Sequence, residues 1–97
     1  MIELAKVADV PEGAGLRVKV GDKQIALFKI AGEVYAINAI CPHAGAFLDM
    51  GFLEDFTIIC PLHGWDFDIR TGVSPSYGVK TKCFPVEVRD GAVYLKD

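Results

Sequence analysis

The sequence predicts an all-β protein, and three observations support this. Glycine and proline recur every few residues from Pro11 to Gly91, the runs between them are short, and those runs are rich in alternating β-branched or aromatic residues. With 52% hydrophobic residues in a chain of 97, a packed globule is expected rather than a disordered tail. We therefore expect one β domain over residues 1–97.

The N-terminal part of the chain predicts a meander of four strands. These strands are Ile2–Val7, Leu16–Val20, Gln24–Ile30 and Val34–Asn38, with turns at Gly21-Asp22 and Gly32-Glu33. At the other end, Val86–Arg89 and Ala92–Leu95 flank Asp90-Gly91, a pair that tolerates the positive φ values of a type I′ turn. A hairpin should close the chain.

The middle of the chain has a different pattern. Residues 40–51 are rich in proline, glycine and alanine and predict a loop, with room for a short helical turn between Ala44 and Phe52. Thr57–Ile59 returns to strand, and a second loop follows at Cys60–Gly64. Beyond it, apolar and polar residues alternate over 65–70, which predicts a strand with one buried face.

Charge excludes one class of partner. The net charge is −3, and no lysine or arginine lies between Lys29 and Arg70. The acidic residues of that stretch are Glu33, Asp49, Glu54, Asp55, Asp66 and Asp68. An acidic surface repels phosphate backbones, so no nucleic-acid partner is expected; the stretch either steers a basic protein surface or is ordinary solvated surface.

The expected cellular location follows from the lack of a signal peptide pattern and of a membrane-spanning stretch in the sequence. Residues 1–10 have no basic start followed by a long apolar run, and no stretch approaches the about 18 to 20 apolar residues that cross a bilayer. Three cysteines, an odd number, suit metal binding in a reducing compartment better than a disulfide framework. We expect a soluble, cytoplasmic protein without membrane contact.

Both histidines of the chain lie beside cysteines, in Cys-Pro-His at 41–43 and Cys-Pro-Leu-His at 60–63. Two thiolates and two imidazoles are a full set of metal ligands, and ligands this close in sequence converge only where the backbone turns back. A proline within each motif and a glycine just after it favour such turns. The predicted metal ligands are Cys41, His43, Cys60 and His63.

These motifs, with their flanking residues, resemble the Rieske family, in which Cys-x-His is followed after a spacer by Cys-x-x-His. The resemblance implies one Rieske-type 2Fe-2S cluster, with Cys41 and Cys60 on the inner iron and His43 and His63 on the outer iron. It implies a Rieske-type fold of stacked antiparallel sheets, with a cluster-binding subdomain at one tip formed by loops at 40–51 and 60–65.

As a whole chain, the sequence is similar to the ferredoxins of bacterial ring-hydroxylating oxygenase systems, which serve aromatic hydrocarbon catabolism. By that resemblance it is not an enzyme but a one-electron carrier, and a monomer when free. Its implied partners are a ferredoxin reductase with FAD that uses NAD(P)H, and a terminal oxygenase.

The chain departs from respiratory Rieske proteins, which carry a loop disulfide. Ala46 and Leu62 occupy those cysteine positions, so no loop disulfide is expected. Trp65 and Phe67 stand where those proteins have a serine and a tyrosine that donate to the cluster. Fewer donors predict a reduction potential toward the low end of the range of about −150 to +300 mV.

Three other functions compete with this interpretation. The first alternative is that the chain is a fixed subunit of a larger enzyme, such as the small subunit of nitrite reductase. A Rieske oxygenase needs two further histidines, which the chain lacks. A structural zinc site also takes two cysteines and two histidines, but usually from Cys-x-x-Cys pairs.

Two further features complete the prediction. The segment Ser74–Gly78 resembles the proline-containing segment that covers the cluster in the family, although proline and glycine also mark any turn. Cys83 has no partner in a motif, so we expect a core or half-buried thiol that is not a ligand.

Overall fold

The computed structural model describes residues 1–42, 45–62 and 64–96. Within them lie the strands β1 Ile2–Lys6, β2 Gly15–Val20, β3 Lys23–Ile30, β4 Glu33–Asn38, β5 Phe52–Glu54, β6 Thr57–Ile59, β7 Asp66–Asp68, β8 Val86–Arg89 and β9 Ala92–Leu95. Two 3-10 helices, Val7–Asp9 and Leu48–Met50, complete the described elements. The second of them is the helical turn expected between Ala44 and Phe52.

The strands form three antiparallel sheets of three strands each. The terminal sheet has the order β1-β9-β8, the central sheet β2-β3-β4, and the loop sheet β5-β6-β7. Every neighbouring pair is antiparallel. The all-β class predicted from the residue pattern is confirmed, and so are the stacked antiparallel sheets that the family resemblance implied.

The central sheet is buried on both faces, and β3 shows how. Ile25 and Leu27 belong to the core shared with the terminal sheet, whereas Ala26 and Phe28 belong to the core shared with the loop sheet. All four side chains are fully buried. Side chains alternate across a strand, so one continuous apolar run supplies both cores.

Two of the predicted turns are confirmed and one is displaced by a residue. Gly21-Asp22 joins β2 to β3, and Asp90-Gly91, with φ values of 52° and 78°, joins β8 to β9. The turn predicted at Gly32-Glu33 is wrong, because it lies at Ala31-Gly32, with φ values of 52° and 81°.

The physical reason for the displaced turn is a distant carboxylate. Glu12 accepts a hydrogen bond from the Ala31 amide at 2.6 Å and another from the Gly32 amide at 3.4 Å. These two bonds stabilise a positive φ at an alanine, a conformation that a non-glycine residue adopts rarely. Glu33 is therefore the first residue of strand β4 and not part of the turn.

The loop sheet differs from prediction in length. The strand expected over 65–70 extends only over Asp66–Asp68, because the chain turns immediately afterwards: the Gly72 amide donates to the Asp68 carbonyl at 2.7 Å. Its alternation is nevertheless as predicted, since Phe67 and Ile69 are fully buried. Strand β5 has three residues and was not predicted at all.

Candidate metal centre

The first cysteine loop, residues 40–51, turns back on itself at Cys41. The Cys41 amide donates to the Ala46 carbonyl oxygen at 2.8 Å, and the Gly45 amide donates to the Cys41 carbonyl oxygen at 2.9 Å. Gly45 has a φ of 69°, in the left-handed region that favours glycine. A tight turn therefore follows the cysteine directly.

The second cysteine loop, residues 60–65, repeats this pattern. The Cys60 amide donates to the Trp65 carbonyl oxygen at 2.7 Å, and the Gly64 amide donates to the Cys60 carbonyl oxygen at 3.1 Å. Gly64 has a φ of 73°. In both loops the fourth residue after the cysteine donates to it and the fifth accepts from it. Two separate segments thus present their cysteines on the same backbone geometry.

The two cysteine side chains meet in one core. Cys41 is 1% exposed and Cys60 is 2% exposed, and both belong to the cluster that contains Leu48, Ile58 and Phe67. Neither forms a disulfide. At the positions where respiratory Rieske proteins have the extra cysteines, Ala46 is half-buried and Leu62 is exposed. The structure therefore brings together two of the four predicted ligands.

The other two predicted ligands, His43 and His63, lie outside the described residues. Within residues 1–42, 45–62 and 64–96, no group of three or more histidine, cysteine, aspartate or glutamate side chains is arranged to hold a metal ion. The roles of His43 and His63 as metal ligands therefore stay a prediction from the sequence.

The third cysteine is separate from this pair. Cys83 is half-buried, and its Sγ lies 3.3 Å from the Arg70 carbonyl oxygen, to which it donates. Burial raises the pKa of the Cys83 thiol, although the nearby Lys80 lowers it. A protonated, hydrogen-bonded thiol is a poor metal ligand. The expectation of a half-buried thiol is confirmed.

An arginine that sequence reasoning missed connects the first cysteine loop to the central sheet. The Arg17 guanidinium carbon lies 3.6 Å from the centroid of the Phe47 ring, and Nε lies 3.8 Å from Oδ2 of Asp49. We call these three residues the Arg17 clamp. A Cβ added at Gly15, on the same strand, would lie 2.7 Å from the Asp49 Cα. Strand β2 and the loop are therefore in close contact.

A second unpredicted residue, Asp66, fastens the segment at 74–78. Its carboxylate accepts hydrogen bonds from Ser74 Oγ at 2.8 Å, from Ser76 Oγ at 2.6 Å and from the Ser76 amide at 3.3 Å. Burial raises the pKa of Asp66, but the bonds from Ser76 and Ser74 outweigh it and hold the pKa below its usual value of 3.8. Ser74 and Ser76 are eight and ten residues after Asp66, so no local sequence pattern predicts these hydrogen bonds.

Five of the six acidic residues between Lys29 and Arg70, all except Glu33, form two groups. One groove of about 300 Å³ is lined by Glu54, Asp55, Thr57, Ile59, Gly64 and Asp66. Among the described residues, that lining has no lysine or arginine. Asp49 and Asp68, in contrast, lie next to Arg17 and Arg70. Negative charge therefore concentrates beside the second cysteine loop.

The described part of the chain has no helix long and apolar enough to span a membrane. The two short helices within it are of the 3-10 type and have three residues each.

Comparison with known proteins decides the family. The model of the Rieske 2Fe-2S domain matches residues 1–85. The chain belongs to the Rieske 2Fe-2S family. A relative from Ralstonia sp, the ferredoxin component of naphthalene 1,2-dioxygenase/salicylate 5-hydroxylase systems, is 40% identical, and the match covers 98% of this chain and 93% of that one.

Solved structures agree with this assignment. The Sphingomonas yanoikuyae B1 ferredoxin matches with a TM-score of 0.92 and 31% identity, covering 99% of this chain and 97% of that one. The complex of reduced oxygenase and oxidized ferredoxin in carbazole 1,9a-dioxygenase contains a chain that matches with a TM-score of 0.89 and 33% identity, covering 98% and 100%. The expected Rieske fold is confirmed, and so is the expected similarity to ferredoxin components of dioxygenase systems.

The residues present fit the cofactor that the family carries. Two buried thiols, offered by two matching turns in an apolar surrounding, are the soft ligands that an iron–sulfur cluster takes. The expectation of a Rieske-type 2Fe-2S cofactor is confirmed by the family.

Proposed function

We propose that this chain is a soluble one-electron carrier of the cytoplasm whose cluster is held by Cys41, His43, Cys60 and His63. We extend the Rieske domain over the whole of residues 1–97, with the cluster-binding loops at 40–51 and 60–65. The observation that supports the ligand set most directly is the repeated turn, which brings both cysteine side chains into one core cluster.

The proposed ligand set suits an electron carrier on charge grounds. Two ferric ions, two sulfides and two thiolates carry no net charge, whereas four thiolates would leave a net negative charge. When bound, the cluster supplies a one-electron couple at a higher potential than an all-cysteine cluster. Cys41 and Cys60, buried among apolar side chains, would hold the inner side of the cluster away from water.

The proposed partners are a reductase with FAD that uses NAD(P)H and a terminal oxygenase, with the free chain a monomer. The name of the Ralstonia relative and the carbazole dioxygenase complex support the oxygenase. The acidic groove beside Gly64 would steer a partner whose docking surface is basic. Electron delivery should therefore slow as ionic strength rises, because salt screens exposed charges beyond about 10 Å at 0.1 M.

The ligand set is tested by electron paramagnetic resonance of the dithionite-reduced protein, with iron and sulfide analysis. Mixed histidine and cysteine ligation should give a mean g value below that of all-cysteine clusters. Replacement of Cys41, Cys60, His43 or His63 by serine or alanine should remove that signal, whereas Cys83→Ser should keep it. A colourless protein with zinc, or a signal lost in Cys83→Ser, would contradict the assignment.

The role as a carrier is tested by reconstitution. The purified chain, reduced by a flavoprotein reductase, should support turnover of a dioxygenase that stays inactive without it. Its concentration should set the rate, as expected for a diffusing carrier. Recovery of the chain only as part of a much larger reductase would instead make it a fixed subunit.

A further inference from the structure

One carboxylate, that of Asp66, accepts three hydrogen bonds from the 74–78 segment. Asp66 accepts from both serine hydroxyls of the segment and from the Ser76 amide. Ser74 is in turn central to the segment: its Oγ accepts from the Tyr77 amide at 3.1 Å, and its carbonyl oxygen accepts from the Gly78 amide at 2.9 Å. The Asp66 carboxylate therefore links this hydrogen-bonded segment to strand β7.

The fastened segment reaches the second cysteine loop through two aromatic rings. The Tyr77 ring stacks on the Trp65 ring, with centroids 4.4 Å apart and an angle of 13° between planes. The Trp65 carbonyl oxygen accepts from the Cys60 amide at 2.7 Å. Tyr77 is 54% exposed and Trp65 is half-buried, so the tyrosine forms the outer layer of this stack.

We propose that Asp66 is a positioning residue whose carboxylate latches the 74–78 segment, so that Tyr77 covers Trp65 and limits water access to the Cys60 side of the cluster. This inference rests on the proposed function, because the shielded group is the cluster of the second cysteine loop. Asp66 needs no contact with the cluster; it acts through Ser74, Ser76 and the stacked rings.

A simpler explanation must be separated from the latch. Asp66 also contributes a negative charge near the second cysteine loop, and charge alone changes a reduction potential. The double variant Ser74→Ala/Ser76→Ala removes the hydroxyl donors and keeps the carboxylate. Asp55→Asn removes a charge from the same groove and leaves the latch intact. Thr71→Ala removes a nearby hydroxyl that bonds the Val73 amide at 3.2 Å, outside the latch.

The first readout is hydrogen exchange of the holoprotein over residues 74–78. Exchange should accelerate about tenfold or more in Asp66→Ala and in the double serine variant, since hydrogen bonds to a charged group contribute that much local stability. Asp66→Asn should show a smaller acceleration, because its amide oxygen still accepts. Thr71→Ala and Asp55→Asn should exchange at the wild-type rate.

The second readout is the cluster itself. In the double serine variant, visible absorbance should bleach several-fold faster in the presence of a chelator. Its midpoint potential should rise although no charge has changed, because added water stabilises the more negative reduced form. Trp65, the one tryptophan of the chain, gives an independent signal, as acrylamide should quench its fluorescence more strongly in that variant.

Each alternative has its own pattern of results. If the double serine variant exchanges, bleaches and titrates like wild type while both Asp66→Asn and Asp55→Asn raise the potential, Asp66 acts by charge and the latch is refuted. If exchange over 74–78 accelerates as expected but the wild-type protein lacks the Rieske resonance, the latch is upheld and the proposed function is what fails.

Discussion

Replacing Arg17 by alanine should weaken the attachment of the first cysteine loop to the central sheet. The change removes a cation–π contact worth about 0.5 to 2 kcal/mol. It removes an ion pair worth about 0.2 to 1 kcal/mol, at the low end because the arginine side chain is 33% exposed. The remaining Asp49 carboxylate is 9% exposed, and its Oδ1 has no hydrogen-bond partner among the described residues.

Leaving such a carboxylate without its arginine adds a desolvation penalty of about 1 to 3 kcal/mol. The expected total is roughly 2 to 6 kcal/mol. For a domain of this size, each 1 kcal/mol lowers the melting temperature by about 4 to 8 °C. Arg17→Ala should therefore melt on the order of 10 °C or more below wild type. Arg17→Lys, which keeps the charge but loses the planar stack on Phe47, should lie in between.

The assay is thermal melting of the holoprotein, followed by circular dichroism and by bleaching of the visible absorbance. Asp49→Asn completes a double-mutant cycle. In the Asp49→Asn background, Arg17→Ala should lower the free energy of unfolding by about 0.5 kcal/mol or more less than it does in wild type. Arg89→Ala is the matched control, since its pair with Glu87 is on the distant terminal sheet and is largely exposed. A melting temperature for Arg17→Ala equal to that of Arg89→Ala, with additive cycle energies, would refute the clamp.

Two other predictions follow from the loop sheet. Gly51→Ala should lower the iron content and broaden the paramagnetic resonance, because the added Cβ would lie 2.1 Å from the carbonyl oxygen of Ile59, one residue before Cys60; a wild-type spectrum would contradict this. Asp68→Asn should lower the urea midpoint at neutral pH, because the hydrogen bond from Arg70, opposed by burial, lowers the pKa of Asp68 from 3.8. A depressed folded-state pKa stabilises the fold fully above pH 3.8, and this stabilisation is lost as the pH falls from 3.8 through the folded-state pKa. The difference in urea midpoint between wild type and Asp68→Asn should therefore be constant between about pH 5 and 7 and shrink below 3.8. A difference that does not shrink at low pH would contradict this.

Most strands and turns of the fold could be predicted from residues that are close together in the sequence. Hairpins such as the one at Asp90-Gly91 were predictable because the residues that set the backbone conformation are adjacent in sequence. The turn at Ala31-Gly32 was misplaced for the opposite reason: its positive φ at alanine depends on Glu12, about twenty residues earlier. The four residues of a turn do not indicate that a distant carboxylate will bind its amides.

The same distinction applies to the site. The cysteine motifs were visible because ligand and turn residues occur together, and the glycines after them are needed for positive φ. Arg17 and Asp66 were not visible, because each acts on a loop that is far away in sequence. Their residue types are ordinary for exposed strand positions, so nothing but the fold distinguishes them from surface charges.

These two residues suggest how a small domain keeps a site made of loops in place. Among the described residues, the two backbone hydrogen bonds around each cysteine are internal to its loop, so they do not fix the orientation of one loop relative to the other. Orientation must then come from outside: the central sheet holds the first loop through Arg17, and β7 holds the cover of the second through Asp66. Because the two anchors lie on different sheets and share no partner, losing both should cost close to the sum of the single losses. A large departure from additivity would instead mean that the two loops move as one body.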